Sequence, residues 1–305
     1  MIGVRRATFH QMLIEEAQRQ GIPIHFEKEL TMIQQDDESK TVTVTFADGT
    51  QEIGSFLIGC DGVHSGTRAA IFGKEPATYT GLTQTAGLSL TPPSLSPPQN
   101  PATFMNVFGD GAHVVAYPIS DTHTSWAVTV REAESRETWR AMGKEQQDAF
   151  CKETPYKEWR DPVNELVKAP VVLIKFGLYD RPELSKWHHG RVVLLGDVAH
   201  PTSPHLGQGA NQAFEDIYHL SRLLSLHIPS PTPSAAASTA VLDTIFTEFE
   251  TLRITRTSAL VRAARAQGDM RVMSGEEACL ARDEMVKATA PLVAGKVQEL
   301  MKHPF

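Results

Sequence analysis

The stretch from Gly190 to Asn211, GRVVLLGDVAHPTSPHLGQGAN, constrains the fold more than any other part of the sequence. Val192 to Leu195 form an unbroken apolar run, as a strand covered on both faces of a parallel sheet requires. Asp197 follows at the C-terminal end, where such sheets bind ligands, and its carboxylate can accept hydrogen bonds from sugar-like hydroxyls. A Pro-rich turn, a Gly-x-Gly and a helical pattern come next. Gly207 and Gly209 let the backbone approach a flat ligand, and the amides opening the helix turn the positive end of its dipole toward negative charge. The same residues also read as an ordinary strand–loop–helix connection with helix-capping glycines. They are not a dinucleotide fingerprint, because Gln212 stands where Gly or Ala is needed and the glycines come well after the strand.

Around this stretch the pattern alternates between strands and helices. Thr8 and Gln11 read as a capping box for a surface helix that stops at Gly21 and Pro23. Val42, Val44 and Phe46 alternate with threonines, Asp48-Gly49 supplies a hairpin turn, and Ile53 to Ile58 reads as the returning strand. Beyond Gly81 the composition shifts to a Pro-rich loop, Thr91 to Pro101, and then to two neighbouring antiparallel strands, His113 to Ile119 and Ser125 to Val130. Arg131 to Asp161 reads as helical and Val171 to Phe176 as a strand. Ala210, Ala213, Phe214, Ile217, Leu220, Leu223 and Leu224 fall at helical spacing, which predicts a long helix with a buried face. His227 to Thr239 has the composition of a flexible linker, and two helices, Val241 to Ala266 and Glu276 to Met301, follow.

Composition narrows the functional classes. With 305 residues and 41% hydrophobic content the chain can bury a substantial core, and a net charge of -7 without a dense basic block argues against a nucleic-acid surface. No apolar stretch approaches the length of a membrane span and no apolar leader follows Met1, so the expected setting is cytoplasmic. The three cysteines, Cys60, Cys151 and Cys279, lie far apart and indicate neither a disulfide framework nor zinc. Twelve histidines include His188, His189, His200 and His205 but no H-E-x-x-H set, so no metal site is expected. Gly62 to Gly66 is not a nucleophile elbow, because Ser65 stands one place late. The four tryptophans, Trp126, Trp139, Trp159 and Trp187, read as core or interface residues.

Together, GRVVLLGDVAHPTSPHLGQGAN and LIGCDGVHSGTR (Leu57 to Arg68) resemble two motifs of the class A FAD-dependent monooxygenases, the family of para-hydroxybenzoate and salicylate hydroxylases. The resemblance extends to VRRATFHQML near the start, to LYDRPELSKWHHGR and to LDTIFTEFETLRITR, and so covers nearly the whole chain. Within the motifs Cys60 and Val198 replace the usual alanines and Thr67 the usual valine, and none of these removes a needed polar group. The resemblance implies a mixed α/β fold: a flavin-domain remnant at residues 1–80 and 168–228, a substrate-binding sheet at 81–167, and a linker with C-terminal helices at 229–305. It also implies that Asp197 holds the ribityl chain and that Pro204 and the backbone from Gly207 through Gly209 and Ala210 to Asn211 lie against the flavin ring, with Gly196 preceding them. Asp61 and Gly62 would sit near the pyrophosphate and ribose, and Arg6 would reach the cofactor.

The implied activity is an FAD- and NAD(P)H-dependent monooxygenation of a small aromatic or polyketide- or alkaloid-like molecule. Members open with a strand, a G-x-G-x-x-G turn and a helix, which this sequence does not contain, so the reading is of an N-terminally truncated member. Phosphate contacts of about 1.5–3 kcal/mol each would be lost, an affinity loss of ~10²- to 10⁶-fold for two or three of them. The strand Val192 to Leu195 would also lose a parallel neighbour and expose an apolar edge, which a rearranged fold, a partner protomer or other partner, or sequence missing from this chain would have to cover. Two alternatives stay open: a flavin-independent isomerase, cyclase or dehydratase using Asp197, His200 and His205 for acid–base chemistry, or a non-catalytic remnant. His205, beside the expected ring position, is with Asp197 the candidate catalytic pair.

Overall fold

A computed structural model describes residues 3–95, 104–135, 141–228 and 236–302. The elements are α1 (Arg6–Arg19), β1 (Leu30–Asp36), β2 (Thr41–Phe46), β3 (Gln51–Gly54), β4 (Leu57–Gly59), α2 (Gly66–Phe72), β5 (Thr78–Leu90), β6 (Met105–Phe108), β7 (Ala112–Pro118), β8 (His123–Arg131), α3 (Lys144–Glu153), α4 (Val163–Lys168), β9 (Pro170–Asp180), β10 (His188–His189), β11 (Val192–Leu194), α5 (Gly209–His227), α6 (Thr239–Arg271) and α7 (Glu276–Lys302). The fold is mixed α/β, as the resemblance implies. Two units share the chain: Met1–His25, Tyr79–Leu178 and Asp269–Thr289 form one, and Phe26–Thr78, Tyr179–Gly268 and Ala290–Phe305 the other.

The first unit is built on a five-stranded sheet in the order β6-β7-β8-β5-β9. The expected pair of antiparallel strands is there as β7 and β8, in register from Ala112↔Val130 to Pro118↔Thr124. Period-two alternation sends Val114, Ala116, Trp126 and Val128 to one face, where they pack with Val163, Leu166 and Val167 of α4. Trp126 fits only because its cross-strand partner is Gly87: a Cβ on Gly87 would stand 2.2 Å from the indole, whose N–H donates to Ser89 Oγ at 2.8 Å. Helix α1 has no buried residue, as a surface helix should. Its cap differs from expectation, however. The helix starts at Arg6 with Arg5 at the N-cap and no side-chain cap bond, so Thr8 lies inside the helix, and Gln11 donates to Glu15 instead.

The second unit holds two three-stranded sheets, β1-β2-β3 and β10-β11-β4. The Asp48-Gly49 hairpin joins β2 to β3 as expected, but Ile53 to Ile58 is not one strand. The chain breaks after Gly54 and starts again at Leu57 in the other sheet, because Leu57, Ile58 and Gly59 pair in parallel with Val192, Val193 and Leu194. Strand β11 is wholly buried, and its core includes Trp187, Leu220 and Leu223 of α5, and Leu242, Ile245, Phe246 and Phe249 of α6. The expected apolar edge on Val192 to Leu195 is therefore corrected. That strand is central, with β4 parallel on one side and β10 antiparallel on the other, and β4 is the outer strand, with Ile58 exposed.

The other expectations divide by segment. Helix α5 buries Leu220 and Leu223 but leaves Phe214 and Ile217 of the same apolar set exposed. Trp126 and Trp187 are core residues and Trp159 packs against the first unit's core, whereas Trp139 lies outside the described residues, as do most of the Pro-rich loop and of the His227 to Thr239 linker. Between Arg131 and Asp161 the described helix is α3.

Candidate functional site

Parallel pairing of β4 with β11 is what builds the site. The pairing ends at Leu194↔Gly59, with Leu195 N–H donating to Gly59 O at 2.9 Å, so both chains leave the same edge of the sheet. One continues as Cys60-Asp61-Gly62 and the other as Gly196-Asp197. The two motifs thus come together at the carboxyl edge of a mixed sheet, the edge at which such sheets bind ligands.

On the β4 side, Asp61 and Ser65 cap α2. Ser65 Oγ–H donates to Asp61 Oδ1 at 2.6 Å, Thr67 N–H to Asp61 Oδ2 at 2.9 Å, and Arg68 N–H to Ser65 Oγ at 2.8 Å. Asp61 is nevertheless exposed. Arg68, 1% exposed, reaches from α2 to the other motif, donating to Val198 O at 3.2 Å, to Pro182 O at 3.2 Å and to Glu75 at 3.1 Å. Cys60 has its thiol pushed up to about 11, first by burial and then by the carboxylates of Asp61 and Asp216. It is a thiol and not a thiolate at neutral pH.

On the β11 side, Gly196 opens a three-residue turn at φ +67°, and a Cβ there would press on Ala213 at 3.3 Å, so both conformation and space demand glycine. Asp197 points outward from this turn and is exposed. A Cβ built on Gly209 would stand 3.7 Å from Asp197 Oδ1, which places the carboxylate against the first residue of α5. Gln208, at the N-cap of that nineteen-residue helix, makes no side-chain cap bond. Pro204, Gly207, Ala210 and Asn211 are exposed around the same point.

The remaining candidates lie elsewhere or are engaged. His205 is buried, and His200 is buried with its Nε2 2.6 Å from Asp216 Oδ2. Arg6 is exposed on α1 in the first unit. Among the described residues no group of three His, Cys, Asp or Glu side chains is placed to hold a metal, and the three cysteines are unpaired. No described helix is long and apolar enough to cross a membrane.

Behind the turn lies a charged network that the motifs alone do not reveal. Asp216 of α5 is fully buried; Arg253 of α6 donates to its Oδ1 at 2.7 Å, to Glu215, and to Gln212 Oε1 at 2.8 Å, while Arg256 adds two bonds to Glu215. A signal for it was present in EFETLRITR, where Glu250 and Arg253 interrupt the apolar face that Ile245, Phe246 and Phe249 share. The spacing of three and four places these charges on the buried side.

A second cluster, buried at His188 and Glu250, fixes α6 to the sheet. Glu250 Oε1 accepts from His188 N–H at 2.9 Å and lies 2.6 Å from His188 Nδ1, and Asp243 lies 2.9 Å from Nε2. Burial pushes the His188 pKa down, but the bonds to Glu250 and Asp243 outweigh it, so the net shift is upward. A histidine whose folded pKa is raised contributes stability that is fully present below its unfolded value, about 6.5, and is lost as pH rises through the folded value. Urea-unfolding midpoints are therefore expected to fall as pH rises from about 6.5 through the folded pKa of His188, and His188→Gln should flatten that slope.

The FAD binding domain family matches residues 2–264 of the chain. A 3-amino-4-hydroxybenzoate 2-monooxygenase of Streptomyces cremeus is 32% identical over 257 residues, covering 83% of this chain and 59% of that protein. A 6-hydroxynicotinate 3-monooxygenase of Pseudomonas fluorescens is 31% identical over 229 residues, 72% of this chain and 56% of that protein. The chain thus spans less than two thirds of the length of these relatives. Among solved structures, Klebsiella pneumoniae HpxO complexed with FAD and uric acid superposes with a TM-score of 0.78 at 25% identity, covering 99% of this chain and 72% of that one.

Proposed function

This chain belongs to the FAD binding domain family, and from that premise we propose that it serves an FAD-dependent monooxygenase that draws electrons from NAD(P)H and acts on a small aromatic molecule in the cytoplasm. The observation that carries the reading is the convergence of the Asp61-Gly62 and Gly196-Asp197 motifs at one sheet edge, beside the start of α5. The relatives' names supply the substrate class: one acts on an aminohydroxybenzoate, another on a hydroxynicotinate, and HpxO is seen with uric acid. All three are flat, ring-shaped and polar.

The donor set fits the ring and ribityl half of the cofactor. Asp197 is an exposed acceptor for ribityl hydroxyls, and the α5 amides complement negative charge on a ring edge. Gly207, Gly209 and Ala210 carry too little side chain to keep a flat ring away, and Pro204 offers an exposed apolar surface beside them. Asp61 and Gly62 would stand at the cofactor's phosphate and ribose portion. When bound, FAD supplies the electron- and oxygen-transfer chemistry; the protein supplies orientation and electrostatics. His205, buried in the turn ahead of Gly207, is proposed as an acid–base group next to the ring, with the exposed Asp197 as the second member of the pair. No observation favours the flavin-independent alternative, and the geometry gives His200 to Asp216.

The protein with FAD is expected to consume NAD(P)H aerobically, faster in the presence of a hydroxylated aromatic or N-heteroaromatic acid, with a product heavier by one oxygen. Turnover of such acids at an unchanged rate without FAD and NAD(P)H would refute the reading.

A further inference from the structure

Asp197 stands exposed on a turn of only three residues, Gly196–Val198, so its direction depends on what holds that turn. The holding group comes from α5. Asp216 Oδ2 accepts the Gly196 N–H at 2.9 Å and lies 2.6 Å from His200 Nε2. One oxygen therefore closes both ends of the segment that carries Asp197. Arg253 Nε donates to the other oxygen, Oδ1, at 2.7 Å, so Oδ2 is left to accept from the Gly196 amide and to face the imidazole Nε2. Asp216 lies seven residues beyond Gly209, about two helical turns, on the helix whose first residue abuts Asp197. A single helix thus supplies the amide end of the site and also the anchor for the loop opposite it.

We infer that Asp216 is a positioning residue of the flavin site, acting through the Gly196 amide and the His200 ring to aim Asp197 across the start of α5. The inference rests on the flavin reading of that site. Asp216 touches no part of the exposed surface itself; its solvent exposure is 0%. Its effect on a ligand passes through the groups it holds, the Gly196 amide and the His200 ring. His200 is the second half of the device, and what the device needs from it is one N–H donor at Nε2.

The test titrates FAD and FMN into the wild type and the variants Asp216→Ala, His200→Ala and His200→Gln, with circular dichroism as the check on folding. Amide exchange by mass spectrometry is followed in segments 196–200 and 207–212, with β7 as the internal reference. Asp216→Ala and His200→Ala are expected to weaken binding of both flavins about 10- to 100-fold and to speed exchange in the two segments while leaving β7 unchanged. His200→Gln should recover most of the loss, because its side-chain amide can donate to Asp216. A role in packing alone would give no such recovery.

A folded Asp216→Ala protein with wild-type flavin affinity would overturn the inference, as would His200→Gln binding as weakly as His200→Ala. If Asp216→Ala does not fold, the two His200 variants decide. If the wild type binds neither flavin, the flavin reading fails, and exchange decides the positioning role: acceleration confined to the two segments and reversed in His200→Gln supports it, and unchanged exchange sinks it.

Discussion

Arg253→Met is expected to destabilise the protein by about 3–5 kcal/mol, the cost of leaving a buried charge without its partner. The guanidinium is 1% exposed and bridges two buried acids, Asp216 and Glu215, while also satisfying the Gln212 side chain. Met has nearly the right length and no charge, so the loss isolates the electrostatic role from packing. Arg256→Met is the comparison. Arg256 is 35% exposed at its side chain and, among the described residues, pairs only with Glu215, which keeps Arg253 when Arg256 is removed. Its loss should cost about 1 kcal/mol or less. Urea titrations of both variants read the difference directly, and equal costs would mean that the buried acids do not depend on Arg253.

Asp197→Ala is expected to do the reverse: little change in stability and a large change in ligand binding. The residue is exposed and lies in a turn, so substitution should cost no more than the loss of one hydrogen bond, about 1 kcal/mol. Loss of a charged acceptor for a ligand hydroxyl removes about 1.5–3 kcal/mol, a ~10- to 100-fold weaker flavin affinity. A variant that loses stability and affinity together would assign Asp197 to the fold and not to the ligand.

How much of this was legible in the sequence depends on the kind of signal. Strand β11 and the position of Asp197 were readable because burial on both faces demands a continuous apolar run, and few other structures do. Helix α5 was readable from the helical spacing of its apolar residues. Strand β4 was not, because its three residues follow the hairpin without a turn signal, and only its pairing with β11 separates it from β3. Nor does periodicity say how much of an apolar stripe is covered, and α5 exposes Phe214 and Ile217.

The buried charges were the least legible. Arg68 finds its carbonyl partner 130 residues away at Val198, and Asp216 finds Arg253 at a separation of 37. No local pattern encodes such pairings, although a charged residue set within an apolar helical face, as Arg253 is, signals that one exists. The two motifs were visible as words; what makes them a site is the parallel register of β4 and β11, which the words do not contain.

The most direct test of the central claim is a titration of the wild-type protein with FAD, followed by visible absorbance and flavin fluorescence. The account predicts saturable binding with a shifted, structured flavin band, weakened in Asp197→Ala. A protein that stays colourless after exchange out of excess FAD, and leaves the free-flavin spectrum unchanged during the titration, would contradict it.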